Sequence, residues 1–341
     1  MITFRLGILG AGQITRNSHL PAALACPNVR VAAIVDPVKH RAAELASEFG
    51  IAPATASDVS EVGHALDGCI VATPNHTHRE AALACLNAGV DVLIEKPLAA
   101  SFEDGQAIID CAERLGRIVA VGYTSRFRPS TRLLKQLLDR GYFGEVRRFA
   151  HQFGTVGGWA PLSAYNLDRS MAGGGVLVIT GTHFLDRMLH LWGYPDDMEL
   201  EDDSLGGPEA NCTARFVYRR RGRSMSGTAQ YSKTAQLKNG LAIDTDAGIV
   251  LLPETEEADI IFRPAGQDDV EHRLVARRRA AGRSAFQLQL EDFVAASRQR
   301  RAPLVDGRQG LESLRLIEQL YASRRSASVD WYAPAVDRVL V

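Results

Sequence analysis

Residues 4–15 read FRLGILGAGQIT, and this stretch decides the fold. Phe4–Leu9 is a short apolar run of strand character, and Gly10 and Gly12 open a turn ahead of a helical stretch reaching about Cys26. Gly10, Gly12 and Thr15 hold the three positions of a G-x-G-x-x-G pattern. The first glycine makes a tight turn, and the second lets an anionic group approach main-chain N–H groups at a helix N-terminus. Thr15 stands where a third glycine would pack helix on strand. A second strand, VRVAAIVD, ends in Asp36, 21 residues beyond Thr15. Strand, glycine turn, helix and an acid closing the next strand together predict a dinucleotide site, with Gln13 and Ile14 completing its turn. Asp36 is the expected acceptor for the ribose hydroxyls, which favours NAD and repels a 2′-phosphate. Lys39 and Arg41, just beyond, keep NADP as the alternative.

Outward from this unit the alternation continues: GCIVATP as strand, HREAALACLNAG as helix, DVLIEKP as strand, FEDGQAIIDCAERLG as helix, RIVAVGY as strand. Short apolar strands alternating with helices predict a doubly wound parallel sheet, a Rossmann domain, over residues 1–122. After Tyr123 the rhythm changes. EVRRFAHQFGT, ANCTARFVYRR, RSMSGTAQYS, AGIVLLP and ADIIFRP read as longer strands separated by turns, with helices near 285–300 and 308–325. Residues 123–341 are therefore expected to form a second α/β domain, joined without a Pro/Gly/Ser-rich linker.

Of 39 basic residues only Lys39, Lys96, Lys135, Lys233 and Lys238 are lysines. A net charge of −1 gives no overall electrostatic case for nucleic acid or an anionic membrane. Arginine clusters at 219–223, 277–279 and 298–301 are interleaved with acids and read as solvated surface. No apolar run approaches a membrane span, and the N-terminus lacks a secretory pattern. Five scattered cysteines without CxxC or Cys/His spacing read as buried thiols of a cytoplasmic protein, not disulfides or zinc ligands. His76 and His78, two apart, lack a third ligand at suitable spacing, so no metal is expected.

GILGAGQITRNSHLPAAL, VATPNHTHREAALACLNAG, EKPLA, VGYTSRFRPS, LLDRGYFGEVRRF and the segment DFVAASRQRRAPLVDGRQGLESLRLIEQLYAS resemble the Gfo/Idh/MocA family of NAD(P)-dependent oxidoreductases over nearly the whole chain. The resemblance implies an N-terminal Rossmann domain and a C-terminal α/β domain. The latter's large, mostly antiparallel open-faced sheet binds substrate and forms a homodimer or homotetramer. It implies that Thr73, Pro74, Asn75 and His78 lie near the nicotinamide ribose, with Glu95 beside them.

Lys96 sits where the strand VLI runs out, at the carboxyl end where open parallel sheets bind ligands. Partial burial beside an oxidised nicotinamide would lower its pKa and suit it to proton relay. Its partner comes from MAGGGVLVITGTHFLDR. The family pattern there is G-G-G-x-x-x-D-x-G-x-H; His183 and Gly181 match, and Ile179 takes the aspartate position. An imidazole titrates near neutrality, so His183 is the expected second proton-handling group, the alternative being a buried helix histidine. Thr180 or Thr182 would replace the missing carboxylate as orienting group. Asp186 shares the helix face of His183, where local pairing is the simpler reading. Arg126, Tyr165 and Asn166 are candidate substrate contacts. The expected function is hydride transfer between nicotinamide and a carbinol or keto carbon of a sugar, cyclitol or nucleotide-linked sugar, Ile179 tilting toward the last. The alternative is an inactive nucleotide-binding sensor or scaffold of the same fold.

Overall fold

A computed structural model describes residues 3–157, 167–204, 207–220, 222–255, 258–267, 269–276 and 282–327. The chain forms two compact units, residues 1–127 with 280–315 and residues 128–279 with 316–341.

In the first unit, strands β1 (Phe4–Leu9), β2 (Val29–Val35), β3 (Ala54–Ala56), β4 (Gly68–Val71), β5 (Asp91–Ile94) and β6 (Val119–Val121) pair in parallel in the order β3-β2-β1-β4-β5-β6. That order is the doubly wound Rossmann arrangement, and every strand presents its carboxyl end on one edge. Leu6, Ile8, Ile70 and Leu93 point into one apolar layer, and Val71, Val92 and Ile94 into the other. Both faces are buried, which is why these strands read as continuous apolar runs. Helices α1 (Leu20–Leu24), α2 (Lys39–Glu48), α3 (His78–Asn87) and α4 (Phe102–Leu115) connect them. Ser101 caps α4 by accepting the Asp104 N–H, and Gly116 ends it in the left-handed region.

Helix α8 (Ala285–Gln299) also packs in this unit, whereas the sequence reading runs the second domain unbroken from 123 to 341. The cause lies in long-range contacts. Leu290, Phe293 and Val294 join the core beneath Phe4, whose ring meets Phe293 edge-on at 6.2 Å. Ser297 Oγ donates to buried Asp91 at 2.7 Å, and Arg300 Nη1 to the same oxygen at 2.6 Å.

Among the described residues the second unit holds nine strands: β7 (Val146–Gly154), β8 (Asp197–Asp202), β9 (Asn211–Arg220), β10 (Arg223–Ser232), β11 (Gly240–Thr245), β12 (Gly248–Pro253), β13 (Ile260–Pro264), β14 (His272–Leu274) and β15 (Arg324–Ser326). The order is β14-β13-β12-β11-β7-β10-β9-β8-β15, antiparallel except for β7–β10 and β8–β15. Phe149, Phe216 and Ala229 lie on the face whose core also takes in Leu134 from α5 (Pro129–Asp139), Leu185 and Met188 from α7 (Thr182–Trp192) and Leu316 from α9 (Gly307–Ala322), α6 being Arg169–Ala172. Arg148, Ala150, Arg215 and Gln230 alternate onto the opposite face, as a period of two requires. The arginines at 219, 220, 300 and 301 pair with Asp197, Asp196, Asp91 and Asp292. Residues 277–279 lie outside those described. All five cysteines are free and buried. Among the described residues no helix is long and apolar enough to cross a membrane, and no group of His, Cys, Asp and Glu is arranged to hold a metal ion.

Candidate active site

The turn after β1 is built around its glycines. Gly10 takes φ +99°, and a Cβ there would collide with the Ala72 carbonyl, so β1 and β4 approach too closely for any side chain. Gly12 has no heavy atom within 4 Å of where its Cβ would be, leaving clear ground above the main chain. Thr15, fully buried, donates its hydroxyl to Gly10 O at 2.6 Å. A threonine is thus accommodated at the third fingerprint position because its one polar group closes the turn. Gln13 and Ile14 are exposed beside Gly12. The chain continues through a π-helical turn, Thr15–His19, into α1; such turns recur at functional sites. Asp36, 7% exposed at the end of β2, accepts the Ala11 N–H through Oδ2 and the Val38 N–H through Oδ1, each at 2.9 Å. An open glycine turn with an acid tethered to it fits the adenosine half of a dinucleotide.

Thr73, Pro74 and Asn75 follow β4 on the same edge. His78 is completely buried, with Nε2 2.9 Å from Thr73 O and Nδ1 2.9 Å from Pro97 O. Burial lowers its imidazole below the ordinary value although both carbonyls favour the proton. A neutral imidazole carries a single N–H, so His78 donates to one of these carbonyls and lies against the other. Glu95, 8% exposed, follows β5 and meets His19 Nε2 at 2.7 Å; Lys96 is half-buried, and its peptide bond to Pro97 is cis. The carboxyl edge thus gathers Gly10, Gly12, Asp36, Thr73, Pro74, Asn75, Glu95 and Lys96. Arg126 belongs to this unit too, in a short helical turn Thr124–Phe127, and is 3% exposed.

His183 belongs to the second unit. Asp168 caps a short helix, Arg169–Ala172, which Gly173 ends at φ +83°. A Cβ on Gly174 would strike the Tyr321 hydroxyl, and one on Gly175 the Glu209 main chain. Fully buried Glu209 accepts the Gly175 N–H at 3.0 Å, the Leu177 N–H at 2.9 Å and the Tyr321 O–H at 2.9 Å. Burial pushes its carboxyl upward against the pull of those donors. From this anchor a second π-helical turn, Leu177–Gly181, runs straight into helix α7 (Thr182–Trp192). His183 is half-buried on the first turn of α7, while Thr182 and Asp186 are fully buried. Ile179 and Thr180 are half-buried, and Tyr165 and Asn166 lie outside the described residues.

A charged cluster around Arg187 of α7 left no pattern in the sequence. Arg187, 2% exposed, pairs with Glu254; Arg128 Nη1 reaches the same carboxylate at 2.9 Å, and His151 Nε2 lies 3.0 Å from it. Burial alone would raise the Glu254 carboxyl, but Arg187 and His151 hold it well below the carboxylate range. Burial lowers His151, whose ring stacks on Phe184 at 3.9 Å and whose Nδ1 has no partner among the described residues. A neutral imidazole donating Nε2–H to the carboxylate satisfies all three observations. His19, Glu209 and Tyr321 also escaped the sequence reading. Of these, His19 alone stands beside a motif, in the helical stretch that follows the glycine turn.

A parallel sheet in the 3-2-1-4-5-6 order, with an open glycine turn and an acid at the second strand's end, defines a Rossmann dinucleotide-binding protein. Residues 4–123 match the Gfo/Idh/MocA family model described as "Oxidoreductase family, NAD-binding Rossmann fold". Among curated proteins it is similar to the rhizopine catabolism protein MocA of Rhizobium meliloti, 31% identical over 57% of this chain and 58% of that one. It is also similar to D-glucoside 3-dehydrogenase of Escherichia coli K12, 30% identical over 56% and 54%. The matched part spans little more than half the length of these relatives. In fold, 94% of the chain superposes on 96% of levoglucosan dehydrogenase in complex with NADH, at TM-score 0.82 and 20% identity.

Proposed function

We propose that the chain is an NAD(P)-dependent dehydrogenase or reductase acting on a CH–OH or C=O carbon of a sugar, cyclitol or nucleotide-linked sugar. The observation that carries this reading is Lys96, half-buried on the same sheet edge as Gly12 and Asp36. The names of its relatives, a D-glucoside 3-dehydrogenase among them, point to the same substrate class. Gly10, Gly12, Gln13, Ile14 and Asp36 hold the dinucleotide, and Thr73, Pro74 and Asn75 flank its nicotinamide end. Bound nicotinamide supplies or accepts the hydride. Lys96 takes up or returns the hydroxyl proton at Nζ. His183 orients the substrate hydroxyl and shares that proton, with Thr180 as its neutral neighbour in place of a carboxylate. Arg126 contributes to substrate recognition. The enzyme works in the cytoplasm, in keeping with five free buried thiols, and assembles as a homodimer or homotetramer through the second sheet.

The test begins with fluorescence titrations of NADH and NADPH, followed by turnover on a panel of sugars, cyclitols and nucleotide sugars. Tighter NADH binding and loss of turnover in Lys96→Ala are expected. Full turnover in Lys96→Ala would remove the mechanism, and binding of neither nucleotide would favour a scaffold. A monomer in light scattering would remove the assembly.

A further inference from the structure

The Glu95 carboxylate is engaged at both oxygens. Oε1 lies 2.7 Å from His19 Nε2, and Oε2 accepts the main-chain N–H of Lys96 at 3.1 Å. His19 is 3% exposed and closes the π-helical turn that continues the glycine turn. One side-chain contact across 76 residues therefore ties the element holding the dinucleotide to the main chain that roots Lys96. Phe286 of α8 meets the imidazole edge-on at 5.1 Å, fixing the ring plane. On the other side, a Cβ at Gly122 would stand 3.0 Å from Glu95 Cα and 3.1 Å from Oε2, so the end of β6 confines the carboxylate.

The local backbone explains why such a tether is needed. Glu95 N–H makes the last bond to β4, donating to Val71 O at 2.8 Å. Lys96 comes next, and Pro97 has no N–H to continue a ladder. The Lys96 N–H must therefore be met off the ladder, since a buried N–H without an acceptor is costly. Glu95 satisfies it, and His19 keeps that carboxylate from swinging away. His78 Nδ1 lies 2.9 Å from Pro97 O on the far side. The main chain at the root of the lysine is thus bounded by Glu95 on one side and by the His78 contact on the other.

We propose that His19 is a positioning residue of this active centre, acting through Glu95 to set where the Lys96 side chain starts relative to the bound dinucleotide. This rests on the reading of Lys96 as the proton-handling group. A displacement of about 1 Å at a reacting group can cost on the order of 100-fold in rate, so the tether has leverage far beyond one hydrogen bond.

Two polar variants test it. His19→Gln places an amide N–H close to the position of Nε2 and keeps the donor to Glu95; His19→Asn is equally polar but too short to reach. His19→Gln is expected to retain kcat within about threefold, and His19→Asn to lose about 10- to 100-fold, with NADH affinity changed less than about threefold in both. Equal kcat in the two variants, or a loss in His19→Asn that follows NADH affinity alone, would overturn the proposal. Amide hydrogen exchange at Lys96 in the NADH complex gives a readout that needs no substrate: at least about tenfold faster exchange is expected in His19→Asn and not in His19→Gln. Unchanged protection in His19→Asn overturns the tether whatever the turnover. Lys96→Ala separates the two claims. If it keeps full turnover, the functional reading fails; if it loses turnover while both His19 variants keep theirs, this inference alone fails.

Discussion

The two glycine-rich turns, Gly10-Ala-Gly12 and Gly173-Gly174-Gly175, look interchangeable on paper. Each follows a short element, passes into a π-helical turn and feeds a helix near a candidate proton-handling group. Gly10 packs against the Ala72 carbonyl much as the second turn's glycines pack against their neighbours, but Gly12 serves a different end. At Gly12 the space a side chain would take is empty to 4 Å, whereas at Gly174 and Gly175 it is filled by Tyr321 and Glu209. The first turn keeps room for something that is not protein. The second uses the missing side chains to let the protein pack against itself, seating α7 and with it His183. A glycine motif is therefore identified by what stands where its Cβ would be.

If the second turn exists to seat α7 on its own core, damage to that seat should be the largest effect. Arg187→Ala leaves Glu254 buried beside His151 and Arg128 with its closest partner gone, and breaking a buried pair in this way costs about 3–5 kcal/mol. Urea unfolding should show the loss, and a change below about 1 kcal/mol would mean that the cluster does not hold the helix. Gly175→Ala comes next. Its Cβ meets the backbone of Glu209, which cannot rotate away, so overpacking of about 1–3 kcal/mol is expected in the same measurement.

Gly12→Ala should do the reverse. With no atom in the way and no left-handed φ, its unfolding free energy should stay within about 0.5 kcal/mol of wild type. NADH affinity should fall about tenfold or more, equivalent to about 1.4 kcal/mol, because the added methyl stands where the pyrophosphate approaches. A Gly12→Ala protein that is destabilised but binds NADH normally would erase the distinction between the turns.

The first unit was legible because its interactions are local or periodic. Apolar runs of strand length, helices between them, the glycine turn and Asp36 all announce themselves within a few residues. Lys96 was legible for the same reason, since a parallel strand's end fixes which edge it occupies. Helix α8 was not, because an amphipathic helix records that it is half-buried but not against what. Its partners Phe4 and Asp91 lie some 200 residues or more away. Glu209 reaches Gly175 and Leu177 across 34 and 32 positions from a segment that reads as a turn, so its burial left no pattern. Thr15 sits between these cases: the sequence marks a departure from glycine, and only the hydroxyl bond to Gly10 O shows why it is tolerated.

The smallest effect concerns acidity and separates the two buried glutamates of the second unit. Glu254 has a folded pKa below its unfolded value, so the folded state binds fewer protons. Its contribution is complete above an ordinary carboxyl pKa of about 4.3 and is lost as pH falls through the depressed folded value. Glu209 has a folded pKa above its unfolded value, so the folded state binds more protons, and stability declines as pH rises from the ordinary value through the raised one. Unfolding free energy measured from acid to neutral pH should therefore lose part of its acid-limb rise in Glu254→Gln. In Glu209→Gln it should lose part of the opposing decline, whatever the offset each substitution adds. Parallel pH profiles for both variants and the wild type would show that neither carboxylate changes its proton on folding. The contrast between a carboxylate paired with arginine and one held by N–H and O–H donors would then have no energetic content.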